Sequence, residues 1–255
     1  MNEPEFYCLG SSSSGNSYVF KIGDSQILVE AGFPYKDLVK RLTSQQLKLS
    51  DCGACLITHC HGDHAVGASE VSARGIDIYA SAPTLEAIKL KLPDRNKFKN
   101  LEPKYVTPDV LVFPFLVEHD APEPMGFIIR ETKTETNLLF INDCHSITAD
   151  LSNFEFDYVF IECNYVDKYV HIEHNNALKE GNKPLVDRYE RVMNVHMGLY
   201  GCKKLLKTLN LKNCKAIFLM HLSDRNSRVG EMRMKIKNEF PNIPVLVCKK
   251  NGGFE

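Results

Sequence analysis

The sequence carries almost no net charge. Its 31 Lys and Arg offset 32 Asp and Glu, leaving a formal balance of −1 at pH 7. That removes any global electrostatic pull toward nucleic acid or an anionic membrane, although a local basic groove can coexist with acidic residues elsewhere. No apolar run approaches the roughly 20 residues of a membrane span. The opening residues, Met1-Asn2-Glu3-Pro4-Glu5, are acidic and lack the apolar stretch of a signal peptide. A paired-cysteine pattern is missing as well. The 9 cysteines, at 8, 52, 55, 60, 144, 163, 202, 214 and 248, are odd in number and scattered. This argues against a secreted disulfide framework and for a reducing compartment. Cys52 and Cys55 form a C-x-x-C, but no second pair with zinc-finger spacing follows, so buried free thiols are expected. No internal repeat is detectable. What remains is an ordinary globular composition, 44% hydrophobic and 25% charged, in a chain long enough to build a large core.

Against that plain background stands a histidine cluster. Thr58-His59-Cys60-His61-Gly62-Asp63-His64 packs three His and one Asp into the hexapeptide H-x-H-x-D-H, in a chain with only 9 His. Neutral imidazole is the commonest metal ligand, and carboxylate suits the same divalent ions. The preceding Cys55-Leu56-Ile57-Thr58 reads as a buried strand, so the histidines fall where a strand gives way to a loop. In extended chain, positions 59 and 61 point the same way, and the Gly62 turn presents Asp63 and His64 to a neighbouring point. This spacing suits two adjacent metals better than one, and better than a chance His-rich surface loop.

Phe6 to Leu9 reads as a first strand, followed by a Gly/Ser loop from Gly10 to Ser17. That loop is either a flexible turn or a backbone cradle for phosphate. It lacks the lysine of a P-loop, and a strand rather than a helix follows it, so Walker-type nucleotide binding is poorly supported. Tyr18–Ile22 and Gln26–Glu30 read as a hairpin. Helices are expected over 35–42, 66–74, 83–91, 198–209 and 228–240, and strands over 76–80, 110–118, 126–131, 138–142, 158–162, 216–220 and 245–248. The basic stretch 89–99 is either a solvated helix end or a phosphate contact. Residues 164–195 are polar and charged and read as the least regular part, with a short helix over 187–193. Strands first and strand–helix alternation later suggest packed sheets flanked by helices, within one domain over 1–255.

A metal-type residue follows the end of an apolar strand four times, at His59, His119, Asp143 and His221. Loops at one end of a sheet sandwich are where functional sites collect. With these residues, H-C-H-G-D-H resembles the metallo-β-lactamase superfamily, along nearly the whole chain. The resemblance implies an α/β fold, the αββα sandwich of two mixed β-sheets flanked by helices. It implies a dinuclear centre: His59, His61 and His119 for one metal, Asp63, His64 and His221 for the second, and Asp143 between them. Zn2+ is the expected ion, with Mn2+ as the alternative.

Gly10-Ser-Ser-Ser-Ser-Gly-Asn-Ser17 and His119-Asp120-Ala121 resemble the YycJ-type exonuclease branch. Glu162, Val195-His196-Met197 and His221-Leu222-Ser223 resemble the phosphodiesterase branch that includes RNase Z. There the histidine equivalent to His196 protonates the leaving oxygen and the glutamate orients it. The resemblance thus implies a phosphodiesterase with Asp63, His196 and Glu162 as catalytic residues and water activated between two metals. DNA hydrolysis leads. A cyclic nucleotide phosphodiesterase is the first alternative, and a thioester or lactone hydrolase the second. Ser13, Ser14, Asn16, Ser223 and Arg225 are candidate substrate contacts, Arg225 being equally a solvated loop residue. His145, His171 and His174 are expected at the surface or behind the ligands.

The chain departs from the family at Glu30-Ala31-Gly32, where Asp-x-Gly is usual. It also lacks the long tRNA-gripping arm of RNase Z. By the same analogy the partners are a nucleic acid or cyclic nucleotide substrate and a second copy in a homodimer, with no membrane. A cytoplasmic, bacterial or phage-encoded protein is expected.

Overall fold

The computed structural model describes residues 3–255. Its first sheet follows chain order: β1 (Glu5–Ser12), β2 (Gly15–Ile22), β3 (Ser25–Val29), β4 (Ala54–Leu56), β5 (Asp77–Ser81) and β6 (Lys97–Phe98). The second contains β7 (Lys104–Thr107), β8 (Val110–Glu118), β9 (Met125–Glu131), β10 (Asn137–Ile141), β11 (Ser146–Ile147), β12 (Tyr158–Glu162), β13 (Ala216–Met220) and β14 (Val245–Val247). Its order is β11-β8-β9-β10-β12-β13-β14, with β7 paired to β8. Both sheets are mixed. Each starts as an antiparallel meander, β1-β2-β3 or β8-β9-β10, and continues in parallel strands reached by crossovers.

The helices are α1 (Tyr35–Ser44), α2 (Gly62–Ala65), α3 (Ala68–Ala73), α4 (Ala82–Ala87), α5 (Asp167–Lys179), α6 (Lys183–Val195), α7 (Leu199–Leu206) and α8 (Val229–Glu239). They cover the outer faces. The period-2 alternation of the strands explains the layering. In β12, Tyr158 and Phe160 face the partner sheet, while Val159 and Ile161 face α7 and α8. In the first sheet, Val19, Leu28, Cys55 and Ile78 face α1 and α3, while Tyr18, Phe20, Ile27 and Leu56 face inward. Strands buried on both faces read as continuous apolar runs, which is how Tyr158–Glu162 and Ala216–Met220 look in the sequence. The expected αββα sandwich is what forms.

Between the sheets lies a layer of aromatic rings. Phe160 stacks on Phe218 with centroids 4.2 Å apart, and Phe20 and Phe6 close on Phe160 at 4.7 and 5.1 Å. All 9 cysteines are free. Cys52 and Cys55 are buried, and burial pushes the Cys52 thiol up to about 11, the behaviour of a packing residue rather than a redox pair.

Two sequence expectations need correction. The Gly/Ser segment is not a loop: β1 runs to Ser12, the turn is Ser13–Ser14, and β2 begins at Gly15. Ser11, Ser12 and Ser17 are buried in the sandwich, while Ser13 and Ser14 are exposed at the turn. Tyr18 donates to Ser11 Oγ at 2.7 Å, and Ser17 Oγ donates to the Glu30 carbonyl at 2.8 Å. Residues 164–195 are not irregular either. They form the α5–α6 hairpin, turned at Gly181 (φ 66°) and capped by Asn182, whose side chain accepts from Leu185 N. Smaller differences are that the 66–74 helix is α3, preceded by the unexpected short helix α2 within the histidine loop, and that α4 ends at Ala87. The basic stretch is tied to acids on the surface, Lys97 to Asp94 at 2.7 Å and Lys99 to Glu102 at 3.3 Å.

Phe160 is fully buried at the centre of the ring layer. Phe160→Ala is expected to cost about 3–5 kcal/mol, read as a lower urea midpoint with an unchanged slope.

Candidate active site

The strands that carry the predicted residues all stop at one edge of the sandwich. Glu30 follows β3, Thr58 and His59 follow β4, and His119 follows β8. Asp143 follows β10, Glu162 ends β12, and His221 follows β13. Three of these strand-end residues are left-handed: Glu30 (φ 65°), Asp143 (φ 45°) and His221 (φ 52°). A left-handed residue turns the chain sharply off its strand, at a cost of about 1–3 kcal/mol each that the surrounding structure must carry. Gly32 meets the metal-type loop directly: a Cβ there would lie 1.8 Å from the Asp63 carbonyl oxygen.

The histidines come together in two groups. Donor atoms of His59, His61 and His119 lie within 4.8 Å of one another, and so do those of Asp63, His64, Asp143 and His221. Hydrogen bonds fix the tautomers. Thr58 Oγ1 donates to Glu30 and lies 2.9 Å from His59 Nδ1. The hydroxyl proton is therefore spent on Glu30, His59 Nδ1–H donates to the hydroxyl, and Nε2 keeps its lone pair. His119 Nδ1–H donates to the Val195 carbonyl at 2.9 Å, which frees its Nε2 toward His61 Nδ1 at 3.2 Å. His64 Nδ1 lies 3.3 Å from Glu30 Oε1, and its Nε2 lies 3.3 Å from Asp143 Oδ2. Glu30 thus braces both groups and does so without access to solvent. The longer Glu in place of Asp keeps this link.

Electrostatics follow from burial against charge. Burial alone would raise the Asp143 and Asp63 carboxyls, but His221 and His64 outweigh it and hold both well below the usual range. Burial pushes His59 and His119 down, so both are neutral donors. Burial would also lower His64 and His221, but Asp143 outweighs it and holds both up as protonated rings. Rings protonated only because carboxylates surround them are the donors a divalent cation takes over. The fit to cations rests further on two orphans. His59 Nε2 and His221 Nε2 are buried and have no hydrogen-bond partner, a costly state that a cation would relieve.

Behind the second group stands a carboxylate shared by two rings. Glu162 Oε1 lies 2.8 Å from His196 Nδ1 and 3.0 Å from His221 Nδ1, and Oε2 accepts from Cys144 N at 2.8 Å and Met197 N at 3.1 Å. His196, 9% exposed, lies between two hollows. One is a mostly apolar cavity of about 600 Å3 between residues 145–152 and α7. The other is a polar cleft of about 470 Å3 against α6.

The predicted substrate contacts divide. Ser13 and Ser223 line the polar cleft. Ser14 is exposed at the β1–β2 turn and Arg225 is exposed beyond the cleft wall. Asn16 is corrected to a structural role. It is fully buried, and its Nδ2 donates to the carbonyls of Ser12 and Asp63 and meets His64 Nε2 at 3.2 Å. His145, His171 and His174 stay outside both donor groups, His174 pairing with Glu190 at 3.5 Å. The sequence did not point to Asn164, which donates to the His221 carbonyl at 2.8 Å. Nor did it single out Asp120 beyond its place beside His119. Asp120 Oδ1 lies 3.3 Å from His119 Nε2, and its Oδ2 takes Arg191 of α6 at 2.8 Å.

A two-sheet sandwich with seven histidine and aspartate donors at one edge defines a metallo-hydrolase class. The family model described as beta-lactamase superfamily domain matches residues 25–222, and the chain belongs to that family. It is a metal-dependent hydrolase. Its sequence is 27% identical to the protein named exodeoxyribonuclease WalJ of Streptococcus pneumoniae over 246 residues, 92% of this chain and 88% of the relative. Among solved structures, the metallo-beta-lactamase fold protein YhfI of Bacillus subtilis superposes with TM-score 0.72 at 15% identity over the full length of both chains. The short form of human tRNase Z superposes with TM-score 0.65 at 17% identity over 98% of each. These two share the fold. No helix among the described residues is long and apolar enough to cross a membrane.

Glu30→Gln keeps the side-chain volume and removes the buried charge behind His64 and Thr58. Metal retention is expected to weaken about 10–100-fold, measured as loss of metal at lower chelator concentration with unchanged circular dichroism.

Proposed function

We propose that this chain is a dinuclear metal-dependent phosphodiesterase that hydrolyses DNA. One observation carries the reading: the buried Glu162–His196 pair stands beside the donor groups, with Nδ1 held at 2.8 Å. A hydrolase of amides, lactones or thioesters has no need of that pair. His59, His61 and His119 would hold one cation, Asp63, His64 and His221 the other, with Asp143 between. Imidazole-rich sites of this kind suit zinc, with manganese the alternative. Two such cations bound there would acidify water and neutralise phosphoryl charge.

The chain's own residues do the rest. Asp63, held as a carboxylate, faces His64 Nε2 at 3.6 Å and His221 Nε2 at 3.7 Å and orients the nucleophile by accepting its hydrogen bond. Glu162 fixes the His196 ring through Nδ1–H, so that Nε2–H is the proton delivered to the leaving oxygen. The two backbone N–H groups on Glu162 Oε2 keep the carboxylate from following the ring. The relationship to a protein named exodeoxyribonuclease supports DNA as the substrate.

His196→Ala is expected to lower turnover about 10²–10⁴-fold while metal content stays at the wild-type level. The assay uses metal-loaded protein with end-labelled DNA, RNA, 3′,5′-cyclic nucleotides and bis(p-nitrophenyl) phosphate. DNA shortening lost in His196→Ala supports the nuclease. Opening of cyclic nucleotides with polynucleotides untouched replaces it, and silence on every phosphodiester overturns phosphodiester chemistry.

A further inference from the structure

The polar cleft beside His196 is built from parts that the proposed reaction does not use. Its walls are α6, the β1–β2 turn and the loop after β13. Arg188, Arg191, Asn226, Ser13 and Ser223 line it, against one carboxylate, Asp187. Arg191 is engaged by Asp120. Arg188 is half-buried and has no ion pair among the described residues. Asn226 is 7% exposed, and its Nδ2 has no hydrogen-bond partner. Its backbone N–H is already spent on Ser223 Oγ at 3.2 Å. A buried amide donor without an acceptor costs about 1–3 kcal/mol. Arg188 and the Asn226 amide are thus cleft donors without an acceptor from the protein, beside the hydroxyls of Ser13 and Ser223, the chemistry that receives a phosphate.

Its position gives that chemistry a meaning. Asn164 lines the cleft and donates to the His221 carbonyl, and His196 forms part of the same wall. An anion seated there lies on the side of the donor groups where His196 meets the leaving oxygen.

We infer that the cleft is a subsite for a second phosphate of the substrate, next to the one being cleaved and on its leaving-group side, with Arg188 as its main cation. This rests on the phosphodiesterase reading and narrows it. The substrate carries at least two phosphates, as a polynucleotide does. A 3′,5′-cyclic mononucleotide has one, which the donor groups would take, and leaves the cleft unfilled.

The test compares kcat/KM of the metal-loaded enzyme for three dinucleotides: unphosphorylated dTpdT, and the same dinucleotide with a phosphate added at its 5′ end or at its 3′ end. The readout is the ratio of each phosphorylated form to dTpdT. In the wild type, one of the two ratios is expected to be about 10 or more, the worth of one charge-assisted contact. In Arg188→Ala it falls to about 1, and Arg188→Lys restores part of it. A purely structural role for Arg188 would lower all three rates together and leave the ratio in place, which overturns the inference. So do wild-type ratios near 1 for both forms while dTpdT and bis(p-nitrophenyl) phosphate are cleaved, and that outcome leaves the phosphodiesterase standing. Failure on every phosphodiester, bis(p-nitrophenyl) phosphate included, overturns both.

Discussion

The site depends on one buried carboxylate. Glu30 has no solvent contact, and burial raises its carboxyl, yet the loop around it is arranged to keep it engaged. It receives Thr58 Oγ1–H and faces His64 Nδ1, so it reaches one donor group through a hydroxyl and the other directly. Removing a group of this kind leaves its partners buried and unpaired, which is why such braces are costlier to lose than surface ion pairs. Gly32, two residues on, lets the Asp63 carbonyl approach the same strand end. The departure from the usual Asp at this position is thus absorbed in the length of one methylene.

A second carboxylate repeats the logic on the other sheet. Glu162 holds His196 and His221 on one oxygen and two backbone N–H groups on the other. Each sheet therefore contributes a buried acid that orients histidines, and each acid sits at or just past the end of a parallel strand. The left-handed turns at Glu30, Asp143 and His221 are the backbone counterpart of the same arrangement.

Much of this was legible in the chain. Period-2 burial made β12 and β13 visible as apolar runs, and the residues that follow such runs marked the site edge. H-x-H-x-D-H carried its own spacing. What was not legible has physical causes. The serines of β1 and β2 look like turn formers because nothing in a sequence records that Tyr18 and the Glu30 carbonyl satisfy their hydroxyls. The α5–α6 hairpin buries few side chains, Val170, Tyr189 and Tyr165 forming a small cluster between the helices, so its 3.6-residue pattern is drowned by charge. Asn16 was read as a substrate contact because small polar residues near a site look alike whether they face in or out. Arg188 gains its role only when α6 folds back across His196, a tertiary event.

The donor groups are split between the two sheets: His59, His61, Asp63 and His64 come from the first, and His119, Asp143 and His221 from the second. Each group of donors draws from both sheets. The separation between the sheets is set well away from the site, by the ring layer in which Phe20 and Phe6 of the first sheet meet Phe160 of the second at 4.7 and 5.1 Å. Close-packed interiors transmit strain rather than absorb it. Those phenylalanines therefore act as the shim of a caliper: the thickness of an apolar interleaf, which touches no ion, gauges how wide the jaws of the metal site stand.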